Sequence, residues 1–133
     1  QELLPLAIEE MLRWTCPLHY FRRTATCSTQ IRGQAIREGD RVVMLYSSAN
    51  FDEDVFTDPM NFDIARNPNP HMAFGHGIHL CLGANLARME TRIFFEEFFR
   101  HFAHIESCAE PVYIRSNSIH GFKEMPVLLT PWQ

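Results

Sequence analysis

The fold of this chain is decided by the stretch FGHGIHLCLGA, residues 74–84. Gly75 and Gly77 precede a single cysteine, Cys81, and Gly83 follows it before a helical pattern begins. Glycine is favoured where the backbone must turn sharply or approach another body closely. A helix start carries unpaired N–H groups and the positive end of the helix dipole, which favour a thiolate over a thiol. The stretch therefore predicts a cysteine thiolate, a soft ligand suited to haem iron.

The same stretch resembles the cysteine-loop signature of the cytochrome P450 haem-thiolate monooxygenases. All of its fixed positions are filled, by Phe74, Gly77, His79, Cys81 and Gly83. The resemblance extends over the whole chain and implies an α+β fold, mainly α. Its parts would be a helix with an E-x-x-R motif, a small antiparallel sheet, a meander, the cysteine loop, a long helix and a terminal hairpin. Residues 1–133 would be the C-terminal haem-binding portion of a single domain whose N-terminal part is missing.

The resemblance also implies how the chain would hold haem b. Cys81 would be the metal ligand on the proximal side, Phe74 would shield its sulfur, and Gly83 would keep a side chain away from the porphyrin. His79 and Arg23 would hold the propionates, as basic groups do for carboxylates. Without the family context, Arg23 is equally well interpreted as an ordinary arginine at a strand edge.

A charged pair lies in the helical pattern that runs from Pro5 to Trp14. Glu10 and Arg13 are three residues apart. On spacing alone they would form a surface ion pair that contributes about 0.3 kcal/mol to the stability of the helix. The resemblance identifies the pair with the E-x-x-R motif and implies a buried network with Arg66. Such a network would be structural and not catalytic.

Hydrophobic patterning predicts the remaining elements. Strands are expected at 24–28, 30–36, 41–48, 112–115, 119–122 and 127–129, a short helix within 47–54, and a long helix over 82–102. The segment 56–70, rich in proline and asparagine, is expected to be irregular, and the resemblance places the family's meander there. The apolar sector of the long helix is expected to pack in the core; its members are Leu86, Met89, Ile93, Phe94, Phe98 and Phe102.

Composition restricts the partners and the compartment. The 133 residues carry a net charge of −4, which makes nucleic acid an unfavourable partner. No apolar run approaches the length of a membrane span. The four cysteines are scattered and do not suggest a secreted disulfide framework, so a cytoplasmic location is expected.

The resemblance implies an enzyme that inserts one oxygen atom of dioxygen into a C–H bond of a small hydrophobic substrate. Electrons would come from a ferredoxin or a reductase, and Arg88 and Arg92 are candidates for docking it. The segment 48–53 resembles members that hydroxylate sterol side chains or branched lipids. The family's distal acid–threonine pair is absent from this sequence, so no catalytic residue beyond the haem ligand is assigned. The isolated chain is expected to bind haem poorly and to be inactive.

Two other interpretations remain open. The chain could be a non-catalytic haem-thiolate binding or sensor module that uses Cys81 only as a ligand. It could instead be a zinc-stabilised domain built from His71, His76, His79 and Cys81, although these residues lack the paired spacing of common zinc sites.

Overall fold

The computed structural model describes residues 2–133 and contains two long helices and four two-stranded antiparallel sheets. The helices are α1 (Leu4–Thr15), the single-turn α2 (Tyr46–Ala49) and α3 (Ala84–His101), with a 3-10 turn at Gly77–His79. The strands are β1 (Tyr20–Thr24), β2 (Thr29–Ile31), β3 (Gln34–Ile36), β4 (Arg41–Leu45), β5 (Phe102–Ser107), β6 (Val112–Tyr113), β7 (Phe122–Glu124) and β8 (Val127–Pro131).

The four sheets form two sets, and in each set the connection between two paired strands contains a second, shorter hairpin. Strands β1 and β4 pair with each other and enclose the β2–β3 hairpin, while β5 and β8 pair and enclose the β6–β7 hairpin. Residues 50–76 contain no helix or strand, as the predicted meander requires. The architecture agrees with the predicted succession of helix, small sheet, meander, cysteine loop, long helix and terminal hairpin.

Several strand boundaries were predicted wrongly. The strand expected at 24–28 lies at 20–24, because Tyr20–Thr24 pairs with Arg41–Leu45 across the chain, and no local pattern reveals that pairing. The single strand expected at 30–36 is two strands, because Arg32 and Gly33 adopt φ values of 47° and 84° and reverse the chain. Strand β5 was not predicted. The predicted helix ends at Phe102 and no element is expected at 103–107, because this strand forms by pairing with β8 at the other end of the terminal segment.

The apolar sector of α3 does not form the expected core. Ala84 is the only buried residue of this helix, and Leu86, Met89, Ile93 and Phe94 are exposed, Phe94 by 60%. The phenylalanines pack along their own helix instead, with ring centroids of Phe94 and Phe98 at 5.9 Å. The buried apolar residues lie elsewhere, between α1, the meander and the start of α3, and are Ala7, Ile8, Cys16, Phe56, Ala73 and Ala84.

Candidate functional site

A cavity of about 400 Å³ brings together four of the residues expected to hold haem. Arg23 reaches it from β1, Phe74 and Cys81 from the cysteine loop, and His79 from the 3-10 turn between them. The rest of the lining is mainly apolar and consists of Leu12, Pro17, Leu18, Phe21, Tyr46 and Ala73. The cavity therefore combines one thiol and two basic side chains with hydrophobic walls.

The cysteine loop closes on itself through backbone hydrogen bonds. The N–H of Cys81 donates to the carbonyl oxygen of Phe74 at 2.9 Å, and the N–H of Leu80 donates to that of Gly77 at 3.0 Å. The N–H of Ala84 then donates to the carbonyl oxygen of Cys81 at 3.2 Å, where α3 begins. Cys81 is consequently held just before a helix N-terminus, with its thiol free and exposed.

Gly83 occupies the position directly before α3. A Cβ built on it would lie 3.9 Å from the Sγ of Cys81, which is an ordinary van der Waals distance. Among residues 2–133, therefore, no protein atom requires glycine at position 83. The expected role of keeping space for the porphyrin remains a prediction.

Two glycines of the loop have positive φ, and only one of them is also crowded. Gly75 has a φ of 71° and Gly77 a φ of 68°. A Cβ on Gly75 would lie 3.1 Å from the hydroxyl oxygen of Tyr46, whereas a Cβ on Gly77 would meet nothing within 4 Å. Gly75 thus lies close to the side chain of Tyr46, which lines the cavity.

This difference predicts unequal costs for two alanine substitutions. Gly77→Ala should lower the free energy of unfolding by about 1 kcal/mol, the cost of a left-handed backbone for an L-residue. Gly75→Ala should cost about 1 kcal/mol more, because the Tyr46 side chain must also move. Urea unfolding followed by circular dichroism measures both values, and the double variant Gly75→Ala, Tyr46→Phe should recover part of the difference. Equal costs for the two single variants would contradict the close contact.

A charged network lies between the buried face of α1 and the meander. The Nε and Nη2 of Arg13 donate to the two carboxylate oxygens of Glu10, both at 2.8 Å, and neither side chain is exposed to solvent. The Nε of Arg66 donates to the same carboxylate at 3.1 and 3.2 Å. The structure therefore brings together Glu10, Arg13 and Arg66, the three residues of the expected network.

Two asparagines complete this network and were not expected from the sequence. The Nδ2 of Asn69 donates to the Oε2 of Glu10 at 3.0 Å, and the buried Oδ1 of Asn69 has no hydrogen-bond partner in the part of the chain that the structure describes. Asn50 is fully buried, donates from its Nδ2 to the carbonyl oxygen of Arg13 and accepts from the N–H of Met72. The asparagines connect the E-x-x-R helix to both ends of the meander, and only the abundance of asparagine in the meander hints at this.

The pKa of Glu10 reflects these contacts. Burial by itself would raise it, but hydrogen bonds from the Arg13 guanidinium, from the N–H of Asp63 and from Arg66 outweigh burial and lower the pKa to about 2. Glu10 is therefore charged at neutral pH, and the network is an ion-pair network.

A second charged cluster lies one residue away and was missed by the sequence analysis. The carboxylate of Glu9 accepts two hydrogen bonds from Arg88 of α3, at 2.6 and 2.8 Å, and lies 3.0 Å from the Nε2 of His71. Arg88 is thus occupied within the chain, whereas Arg92, the other arginine suggested for docking a partner, is 55% exposed beside Glu96. No spacing rule joins residues 9, 71 and 88, so only the tertiary structure reveals this cluster.

The residues at the cavity are chemically suited to haem. The macrocycle is a flat apolar body with two carboxylates and an iron, and the cavity offers apolar walls, two basic side chains and one free thiol. The zinc alternative lacks a comparable donor set, because residues 2–133 contain no group of three or more His, Cys, Asp or Glu side chains that could hold a metal ion. His71, one of the residues suggested for zinc, is turned toward Glu9 instead.

Comparison with known proteins shows the family. The cytochrome P450 family model matches residues 2–123 of the chain. The chain belongs to the cytochrome P450 family. This confirms the family and the fold that the cysteine loop predicted.

Named relatives and a solved structure agree with this membership. A methyl-branched lipid omega-hydroxylase of Mycobacterium tuberculosis is 49% identical over 126 residues, which are 94% of this P450 chain and 29% of the relative. A steroid C26-monooxygenase of Mycolicibacterium smegmatis is 48% identical over 132 residues, 98% of this chain and 33% of the relative. The crystal structure of a cytochrome P450 enzyme from Bacillus subtilis matches with a TM-score of 0.90 and 47% identity, covering 95% of this chain and 34% of that one.

This P450 chain spans about a third of the length of the relatives it matches. Membership of the family implies haem iron as the cofactor. Among the described residues, no helix combines the length and the apolar character needed to cross a bilayer.

Proposed function

We propose that this chain is the haem-binding portion of a P450 monooxygenase that inserts one oxygen atom of dioxygen into a C–H bond of a hydrophobic substrate. The observation that carries the proposal is the cavity in which Cys81, His79 and Arg23 converge within apolar walls. The family membership supports the same chemistry, and the relatives described above are named as hydroxylase and monooxygenase. Residues 1–133 would form a contiguous C-terminal portion of one domain.

Each residue at the cavity has a distinct role in this proposal. Cys81 ligates the iron of haem b as a thiolate, and the closed loop from Phe74 to Cys81 fixes the backbone of the ligand. His79 and Arg23 pair with the propionates. The bound haem supplies dioxygen activation, which a thiolate ligand favours by pushing electron density toward the iron. Gly83 leaves room for the macrocycle beside the ligand.

The substrate class is proposed to be a sterol side chain or a branched lipid. The apolar wall formed by Leu18 and Phe21 suits a hydrophobic substrate. The two mycobacterial relatives are named for action on a methyl-branched lipid and on a steroid. Electrons would come from a ferredoxin or a reductase. The four cysteines are all free thiols, which fits a reducing cytoplasm.

Haem-binding spectra test this proposal. The reduced, carbon monoxide-bound protein is compared with its Cys81→Ala variant, both as the 133-residue chain and in a chimera. In the chimera, this chain replaces the equivalent third of the Bacillus subtilis P450 that it matches in structure. We expect a strongly red-shifted Soret band in the chimera, its loss on Cys81→Ala, and weak haem binding by the chain alone.

Two other cysteines provide matched controls. Cys27 and Cys108 are also free and exposed, so Cys27→Ala and Cys108→Ala should leave the Soret band unchanged. A histidine-type spectrum in the chimera that is insensitive to Cys81→Ala would overturn the haem-thiolate proposal. A thiolate spectrum without oxygenation of any steroid or branched lipid would retain the haem site but favour the sensor interpretation.

A further inference from the structure

Glu9 and Glu10 are consecutive residues of α1, but their carboxylates serve different parts of the molecule. Successive residues of a helix point about 100° apart. Glu10 therefore faces the meander and is fully buried, whereas Glu9 faces α3 and its side chain is 26% exposed. The two carboxylates share no hydrogen-bond partner among the described residues.

Glu9 joins three segments of the chain. Arg88 of α3 binds its two oxygens with two N–H groups, an arrangement that fixes both position and orientation. His71 contributes the third contact through its Nε2, and its side chain is only 2% exposed. The Nδ1 of His71 accepts a hydrogen bond from the N–H of Ala73 at 3.2 Å, so the Nε2 carries the proton and donates it to Glu9.

The pKa values in the cluster agree with this arrangement. For Glu9, burial is outweighed by the hydrogen bonds and charges of Arg88 and by His71, which lower its pKa. For His71, burial lowers the pKa more than Glu9 raises it, so the ring stays neutral. The hydrogen bond to Glu9 raises the pKa of Arg88. The cluster is therefore one ion pair extended by a neutral imidazole.

Both arms of the cluster lead to Phe74. His71 holds the backbone at Ala73, the residue immediately before Phe74. The guanidinium carbon of Arg88 lies 4.8 Å from the centroid of the Phe74 ring, a cation–π contact. The carbonyl oxygen of Phe74 in turn accepts the hydrogen bond from the N–H of Cys81. The backbone of the cysteine is thus three contacts away from the carboxylate of Glu9, through Arg88 and Phe74.

We propose that Glu9, His71 and Arg88 are positioning residues that hold Phe74, and through it the backbone of Cys81, through contacts that Glu10 does not make. Their significance for haem ligation rests on the proposed function. Their effect on the loop does not, because the contacts from Glu9 to Cys81 all lie within this chain. The assignment also gives Arg88 a task inside the molecule in place of docking a redox partner.

Amide hydrogen exchange of the full 133-residue chain tests the positioning role without haem. Glu9→Gln and Arg88→Gln should each accelerate exchange of the Cys81 amide by about tenfold, as expected when a charge-assisted hydrogen bond is removed. The Asp63 amide donates to Glu10 and should exchange at an unchanged rate. Arg100→Gln removes a second arginine–glutamate pair of α3, the exposed pair with Glu97, and should change neither amide.

Each other outcome overturns the proposal. An unchanged Cys81 amide in both variants would show that the cluster does not hold the loop. Equal acceleration of the Cys81 and Asp63 amides would show a general structural role. Arg88→Lys keeps the charge but loses the paired hydrogen bonds, and it should give an intermediate rate. If the single substitution Arg88→Lys is enough to unfold the chain, the cluster stabilises the whole fold and a role confined to positioning the cysteine loop is excluded.

A spectral measurement separates this proposal from the proposed function. In the chimera, Arg88→Lys and Glu9→Gln should shift the iron reduction potential or the carbon monoxide Soret band, whereas Arg100→Gln should shift neither. Failure to bind haem through Cys81 would overturn the proposed function and leave the exchange result standing. A normal thiolate spectrum combined with an unchanged Cys81 amide would overturn the positioning role alone.

Discussion

Replacing Arg13 with methionine is expected to lower the free energy of unfolding by about 3–5 kcal/mol, the cost of breaking a buried ion pair from one side. The side chain of Arg13 is not exposed to solvent. Its guanidinium donates hydrogen bonds to the carboxylate of Glu10 and to the carbonyl oxygens of Asn50, at 2.8 Å, and of Pro59, at 2.9 Å. Methionine fills a similar volume but leaves Glu10 buried without its bidentate partner. A domain with a stability of 5–15 kcal/mol, about the usual range, would lose much of it.

Arg13→Lys should lower the free energy of unfolding by nearly as much as Arg13→Met. Lysine keeps the charge, but one ammonium group cannot bind two carboxylate oxygens and two backbone carbonyls that are spread around a planar guanidinium. The guanidinium also lies against aromatic rings, with its carbon 5.0 Å from the centroid of Phe51 and 5.4 Å from that of Phe56. Urea unfolding monitored by circular dichroism measures the loss.

A matched control and a double-mutant cycle isolate the buried interaction. Arg100 pairs with Glu97 on the surface of α3, and Arg100→Met should change the free energy of unfolding by less than about 1 kcal/mol. The pair Glu10→Gln, Arg13→Met should be less unstable than the sum of its single variants, because the double variant no longer buries a Glu10 carboxylate that has lost Arg13. Additive losses, or an Arg13→Met variant as stable as Arg100→Met, would refute the network as a source of stability.

The second large effect is a loss of stability in acid that depends on Glu10. The pKa of Glu10 is about 2 in the folded chain against its usual 4.5. Because the folded pKa is depressed, the stabilisation is fully present above about pH 4.5 and disappears as the pH falls toward 2. The difference of about 2.5 pKa units corresponds to about 3 kcal/mol at 1.36 kcal/mol per unit.

The pH range of this loss can be separated from that of a neighbour. Burial lowers the pKa of His71 below its usual 6.5. As the pH falls below about 6.5, the imidazole therefore becomes protonated in the unfolded chain before it does in the folded chain, and the free energy of unfolding begins to decrease. Urea midpoints between pH 7 and pH 3 should therefore fall in two stages. Glu10→Gln should flatten the lower stage and His71→Gln the upper one, so an acid response identical in all three proteins would contradict the assignment.

The candidate site was largely predictable because it is encoded in short segments. The cysteine loop lies within eleven residues, and Glu10 and Arg13 lie within one helical turn. Local spacing therefore predicted the pairing of Glu10 with Arg13, although as a surface ion pair. The family resemblance implied the burial of that pair, its connection to Arg66 and the haem site, and the comparisons confirmed the family. The convergence of Arg23 with the loop followed from the family resemblance alone.

The tertiary structure alone decided the Glu9–His71–Arg88 cluster, the asparagines around Glu10 and the pairing of β1 with β4 and of β5 with β8. Each of these joins residues that are about 20 to 80 positions apart. A hydrogen bond requires two groups to meet in space, whereas a sequence pattern reports only the local preference of the chain for one face or one conformation.

The exposed face of α3 follows the same distinction. The apolar sector of this helix was correctly predicted from the sequence, because side-chain chemistry and the helical period are local properties. Whether such a sector is buried depends on what packs against it, and within residues 2–133 the side chains of Leu86, Ile93 and Phe94 remain exposed. The sequence by itself therefore determined the helix, the cysteine loop and the family, and the tertiary contacts decided which charges and which apolar faces are buried.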